Sequence, residues 1–297
     1  MKNILRSSVL IPLVTFIGLE TGIAQEVELE NSMLWSVVNT KSPADTSYLF
    51  GTIHQISQRD FTLKDKLTNS LQKTDALLTE MDLSDPDMVN LMKDYMYMKD
   101  GMTLDQLISK KDYATLNGFM LEGTGESLSK YNRNKPFITS SALMNYYIEG
   151  VPASYDMVLT QMALADSMKI AGLESLEDQM AVMDKMSYKD QAKYLMEIVN
   201  NSAETKLRFG AILDAYKGEN LDELSLLLDE NLHTKDEKKY LITDRNKKWV
   251  PVIESTMKDQ NTFIAVGAGH LGGEMGLINL LRQKGYKVEP VFEKESE

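Results

Sequence analysis

Ser47-Tyr-Leu-Phe-Gly51-Thr-Ile-His54 and Phe263-Ile-Ala-Val-Gly267-Ala-Gly-His270 are two versions of one pattern: an apolar run, a glycine, two residues and a histidine. An apolar run this short, rich in β-branched and aromatic residues, reads as a buried strand. The glycine frees the backbone to turn at the strand end. The histidine is then delivered to the rim of a sheet, where α/β folds place their sites. The chain holds 3 histidines, and two of them stand in these matching contexts. Imidazoles offered in this way are candidate metal ligands or acid–base groups. The third, His233, lies in a charged stretch and reads as solvated.

Outward from the first motif, residues 33–38 and 47–50 read as strands around the turn-rich loop 39–46. Leu63, Leu67 and Leu71 give residues 61–73 helical spacing, and residues 76–81 form a strand that ends in an acid, Glu80. The middle is mostly helical. Asp85-Pro86-Asp87 opens a helix to about residue 98, and Thr103-Leu-Asp-Gln106 is a capping box. Helices follow at about 111–121, 138–149 and 155–167. Residues 169–174 are a short strand ending in Glu174, and further helical spacing covers 188–216 and 220–231. A charged helix at about 235–258 contains Pro251, which should kink it or mark its boundary.

Outward from the second motif, residues 263–266 are a strand and 267–273 a glycine-rich loop. Residues 275–284 are an amphipathic helix, and 286–292 a last strand. The expected fold is α/β: a central mixed sheet formed by the N- and C-terminal segments, with a large helical insert at about 85–260. Residues 25–297 are expected to form a single domain. Bringing both ends into one sheet places His54 and His270 on one edge.

Composition narrows the function. The net charge of −12 argues against nucleic acid, whose phosphates need a basic footprint. There is no cysteine, which excludes disulfides, thiolate nucleophiles and a lipid-bearing cysteine. The 19 methionines are scattered, and read as filler for irregular helix packing. Lys2 and Arg6, an apolar stretch at 9–19 and Gly22-Ile23-Ala24 form the pattern of a cleavable leader over residues 1–24. The apolar stretch is well short of the ~20 residues that span a bilayer. The expectation is a periplasmic or secreted protein with no stable membrane insertion after cleavage.

Two histidines and a carboxylate suffice for a catalytic metal site with a position open to water. Such a metal acidifies water and polarises a carbonyl. Glu80 is the candidate carboxylate, and Glu174 stands in the same position after its own strand. Arg245, on the late charged helix, could orient a carboxylate or steady an oxyanion. No His-Glu-x-x-His helix, nucleophile elbow or Walker lysine is present. Three readings stay open: a metal-dependent hydrolase, a non-catalytic binding protein for a peptide or signal molecule, and a hydrolase of esters or glycans.

An ordered set of short motifs then carries a resemblance. Tyr48-Leu-Phe-Gly-Thr-Ile-His54, Glu80 after its strand, Tyr155-Asp156, Gly172-Leu-Glu174-Ser-Leu-Glu-Asp-Gln179, Arg245-Asn246-Lys-Lys-Trp249 and Val266-Gly-Ala-Gly-His-Leu-Gly-Gly273 span most of the chain. In this order they resemble the TraB/GumN family, which includes the Tiki metalloproteases. The resemblance implies an α/β fold with the paired Gly-x-x-His motifs around a divalent metal, manganese or cobalt, with zinc kept as a third candidate. It implies His54, His270 and Glu80 as site residues around that metal, Arg245 as a further polar member, and a peptide or protein substrate; Glu80 and Arg245 are thereby catalytic candidates, and Glu174 is added to them from its strand-end position.

Overall fold

The computed structural model describes residues 31–294 other than Lys41, Asn231 and His233. The leader read at residues 1–24 and the solvated His233 lie outside the described residues. The strands are β1 (Leu34–Asn39), β2 (Ser42–Thr52), β3 (Ile56–Ser57), β4 (Ala76–Thr79), β5 (Pro152–Ala153), β6 (Lys169–Gly172), β7 (Thr262–Gly267) and β8 (Tyr286–Pro290). Six form one sheet in the order β6-β4-β7-β2-β1-β8, and β3 pairs with β5. β2, β4, β6 and β7 run parallel, while β1 is antiparallel to both β2 and β8.

The fold is therefore α/β, with a mixed sheet built from both ends of the chain and a long helical segment between them. The two motif strands are immediate neighbours, with Thr52 opposite Gly267. The helical segment also supplies the edge strand β6. Phe263, Ile264, Ala265 and Val266 are completely buried. A parallel strand covered on both faces shows continuous rather than alternating apolar sequence. Burying each large side chain there contributes about 1.5–3 kcal/mol. Helix Tyr155–Ala165 packs on β4 and β6, and helix Asp244–Asp259 on β7.

A second apolar cluster lies within the helical segment, around Leu104, Leu116, Leu128, Leu143 and Leu195. Met98, Met120 and Met196 fill it, as thioether side chains do between irregularly packed helices. Among the described residues no helix is long and apolar enough to cross a membrane.

Several local expectations change: residues 42–46 of the loop expected at 39–46 belong to β2, and the helix expected at about 235–258 is two α-helices, Lys235–Lys238 and Asp244–Asp259, joined by a π-helical stretch. The helix expected over 61–73 is confined to Asp65–Leu71, because Phe61 leaves it to stack on Tyr155 at 4.4 Å. The periodicity of 188–216 belongs to two helices, Tyr188–Asn200 and Ser202–Lys217. Pro251 neither starts nor ends a helix, since Asp244–Asp259 runs through it. Proline removes one hydrogen bond to the residue four back, here Lys247, and both residues are exposed, so water can satisfy that carbonyl.

Candidate active site

Four parallel strands end on one edge, and each delivers a polar side chain just past its last residue. β2 leads to His54, β4 to Glu80, β6 to Glu174, and β7 to His270 through the short turn Ala268–His270. The carboxyl edge of a parallel sheet is where α/β folds bind ligands. Backbone pairing continues past β4 and β6, with Leu173 N–H on Thr79 O at 2.8 Å and Glu174 N–H on Glu80 O at 3.0 Å. That pairing sets the two acids side by side.

Two like charges so close need a shared cation, and Arg245 supplies it. Its Nε and Nη2 donate to Glu174 at 3.1 and 2.6 Å, and Nη2 also donates to Glu80 Oε2 at 2.5 Å. Its Nη1 donates to Leu241 O at 3.2 Å and faces His270 Nε2 at 3.2 Å. A guanidinium has five N–H groups, and all five are engaged. The role this arrangement supports for Arg245 is to hold Glu80, Glu174 and His270 in place, not to offer a free N–H to substrate. Glu174 is likewise fully used, because its second oxygen accepts from Trp249 Nε1 at 3.2 Å.

Glu80 is different. Its Oε1 accepts the Gly267 N–H at 2.8 Å and borders the open cavity. Burial would raise this carboxyl, yet the positive charge of His270, Arg245 and His54 and the Gly267 N–H lower it. Of these, His270 is itself kept neutral, because burial pushes its ring down to about 3. The positive charge in contact with Glu80 at neutral pH is therefore the guanidinium.

The two histidines are held alike and exposed unlike. Asn246 Nδ2 donates to the backbone oxygens of His270 and Met275 at 3.1 and 2.8 Å, which turns its oxygen to His270 Nδ1 at 2.6 Å. His270 Nδ1 is thus the protonated nitrogen, and Nε2 accepts from Arg245. The ring is buried and lies 4.5 Å from the Trp249 ring. His54 Nδ1 faces Asp156 Oδ2 at 3.1 Å, and the other Asp156 oxygen accepts from Thr52 at 2.9 Å. The His54 side chain is 69% exposed. The Asp156 hydrogen bond, with the negative charge of Glu80 and Asp156 behind it, raises its pKa to about 9, and solvent at the open ring edge screens part of this.

The sign of that shift makes a test. A histidine raised by its partner gains stability that is full below its unfolded value of about 6.5 and is lost as pH rises through about 9. In Asp156→Asn, the His54 imidazole resonances are expected to titrate back toward ~6.5. A midpoint unmoved by the substitution would remove Asp156 as the cause.

The glycines act differently from the expected strand-end turn. Neither Gly51 nor Gly267 has a positive φ. A Cβ on Gly51 would meet Leu271 Cδ1 at 2.7 Å, so this glycine serves close packing. A Cβ on Gly267 would stand 3.1 Å from Glu80 Oε1, 3.6 Å from His54 Nε2 and 3.8 Å from His270 Cδ2. Gly267 thus leaves the space into which the three groups converge.

The donor set fits a divalent metal in kind. Two imidazoles whose Nδ1 is held by an oxygen, beside a carboxylate, are a familiar ligand pattern. The arrangement is not preformed: among the described residues no three His, Cys, Asp or Glu side chains are grouped to hold an ion. His54 Nε2 and Glu80 Oε1 border the cavity, and His270 becomes a third donor only when Arg245 Nη1 leaves it. The cavity measures about 490 Å³. Beyond the polar end its walls include Ile53, Ile212, Leu224, Leu228, Leu241 and Ile242.

Asp156, Asn246 and Thr52 were not singled out from sequence as site residues. Asp156 follows the helix cap Ser154 and so looks like an ordinary first-turn acid. Only its contact with His54 separates it from one.

Fold and site together define an α/β protein with paired Gly-x-x-His turns, whose His–Glu–His–Arg cluster crowns the carboxyl edge of a parallel sheet. The chain belongs to the TraB/PrgY/gumN family, whose match covers residues 33–290. It is 22% identical to a zebrafish (Danio rerio) protein named metalloprotease TIKI2, over 87% of this chain and 61% of that one. The Xenopus tropicalis metalloprotease TIKI2 is 22% identical over 91% of this chain and 62% of its own length. The human metalloprotease TIKI1 is 23% identical over 89% of this chain and 63% of its own length. The chain thus spans about three fifths of the length of these relatives and is distantly related to proteins named as metalloproteases. No solved structure gives a significant match.

Proposed function

We propose that this protein is a metal-dependent hydrolase that cleaves peptide bonds outside the cytoplasm. The observation that carries the reading is the meeting of His54, Glu80 and His270 around the space left by Gly267, at the polar end of an apolar-walled cavity. The distant metalloprotease relatives support peptide or protein as the substrate class, and the leader pattern supports export to the periplasm or beyond.

His54, Glu80 and His270 would hold a manganese, cobalt or zinc ion. Bound there, it supplies Lewis-acid polarisation of a carbonyl. His54 stands at the open rim with Asp156 fixing its Nδ1, so its Nε2 side is the one that meets substrate, and a cation there competes with its proton. Glu80 would serve as the carboxylate ligand, with its Oε1 aimed by the Gly267 N–H. Arg245 keeps that carboxylate ionised and aimed, and Glu174 and Trp249 keep Arg245 in position. The apolar walls exclude water and receive the side chains flanking the scissile bond.

Elemental analysis of protein purified without chelators is the first test, beside the His54→Ala/His270→Ala double variant. The expected result is near-stoichiometric metal in the wild type and none in the variant, with peptide cleavage that chelation abolishes. Turnover of esters or glycans but not peptides would reassign the substrate. Tight peptide retention without product would make the protein a binder.

A further inference from the structure

Five apolar side chains on the wall of the large cavity, Ile53, Ile212, Leu228, Leu241 and Ile242, are only half-buried. They come from four separate elements: the segment after β2, helix Ser202–Lys217, helix Leu221–Glu230 and the π-helical stretch Lys239–Thr243. The fold leaves this surface open to one space, continuous with the polar cluster of His54, Glu80 and His270. Concave apolar surface beside a few convergent polar groups is the form of a ligand site.

Leu228 and Ile242 reach the residue that precedes His270. A Cβ on Gly269 would stand 3.2 Å from Leu228 Cδ1 and 3.9 Å from Ile242 Cδ1. Methyl groups from two helices thus meet over the backbone that leads into the polar cluster. The π-helical stretch supplies an independent sign, because π turns are rare and gather at functional sites. Here one turn serves both parts of the cavity. Leu241 and Ile242 border the apolar part. The Leu241 carbonyl accepts from Arg245 Nη1 at 3.2 Å, and the same guanidinium holds Glu80 and Glu174.

The charges on the cavity narrow what can enter. Its lysine and arginine are Lys238 and Arg245. Lys238 pairs with Asp229, and every N–H of Arg245 is engaged. An acidic side chain would therefore lose its water without gaining a counter-ion. Glu274 borders the cavity but is exposed, where its attraction for a basic side chain is worth little. We propose that this wall is a specificity subsite: it seats one large aliphatic side chain beside the bond that is cut, and Leu228 and Ile242 decide that choice. The place of the side chain beside a scissile bond rests on the peptidase reading; its fit to the cavity does not.

The test uses blocked pentapeptides, acetyl-Gly-Gly-X-Gly-Gly-amide, with X leucine, alanine, aspartate or lysine. With a single side chain, each can settle in whichever register suits the cavity. Calorimetry on the full chain carrying His54→Ala reads binding without turnover. Mass spectrometry with the wild type reads where cleavage falls. The leucine peptide is expected to bind at least about tenfold more tightly than the alanine peptide, with aspartate and lysine no better than alanine, and to be cut next to leucine. Leu228→Ala and Ile242→Ala, each in the His54→Ala background, are expected to narrow the gap between leucine and alanine several-fold. Leu228→Lys in that background is expected to reverse the order, with the aspartate peptide gaining at least about tenfold over leucine. A gain of that kind cannot come from misfolding. Leucine-selective binding with no cleavage of any peptide would sink the hydrolase reading and leave the subsite standing. Absence of binding, equal affinity for leucine and alanine, a preference for aspartate or lysine, cleavage indifferent to X, or an order that Leu228→Lys leaves unchanged each overturns the subsite.

Discussion

Arg245→Met is expected to lower folding stability by about 3–5 kcal/mol, the cost of leaving buried charge without its partner. The Arg245 side chain is 7% exposed, and those of Glu80 and Glu174 are 7% and 6% exposed. With the guanidinium gone, two carboxylates on adjacent strands face each other with no cation between them. They must take up a proton or draw in water. The loss should therefore shrink at low pH, where one of them is protonated, and in Arg245→Met/Glu174→Gln, where one charge is removed. Arg245→Lys keeps the charge but not the fork, and is expected to fall between wild type and Arg245→Met. Urea denaturation of the four proteins at two pH values reads all of this. A loss under ~1 kcal/mol in Arg245→Met, typical of an exposed pair, would show that the three side chains are not a buried unit.

The second expectation separates the histidines that the sequence presents as twins. His54→Ala should keep the fold, at a cost of about 1 kcal/mol for the hydrogen bond left unmade at Asp156. Its peptide hydrolysis should fall by at least about 10²-fold together with its metal content, as expected where a proposed metal ligand is removed. His270→Ala should lose activity and also about 2–4 kcal/mol of stability, because a buried ring is removed and partners are stranded. The two rings differ in their surroundings: His54 is 69% exposed with one side-chain partner. His270 is buried, lies against Trp249, and is bonded to Asn246 and Arg245. Thermal unfolding and a peptide assay on both variants decide it. Equal stability losses would mean that the exposure of the two rings has been assigned wrongly.

Much of the site was legible because parallel strands have a simple grammar. An apolar run followed at once by a polar residue marks a carboxyl end, and four such ends, before His54, Glu80, Glu174 and His270, could be read from sequence. Their grouping follows once the strands are adjacent. Less legible were the groups that orient them. Asp156 and Asn246 lie on helices, at positions where an acid or an amide is unremarkable, and nothing local tells which strand end each helix will meet. Gly51 and Gly267 were read as turns because glycine permits positive φ. Their use is instead to give space, to Leu271 in one case and to the converging polar groups in the other.

The sequence by itself determined the α/β class, the pairing of the chain ends in one sheet, and the edge on which polar groups gather. These follow from apolar runs and their punctuation, which are properties of neighbours along the chain. Only the tertiary structure decided what each polar group does. It made Arg245 a shared counter-ion with no N–H to spare, and it buried one histidine and exposed the other. Those outcomes depend on desolvation and on contacts between residues far apart in sequence, such as Asp156 with His54 and Arg245 with Glu80. No local pattern encodes them.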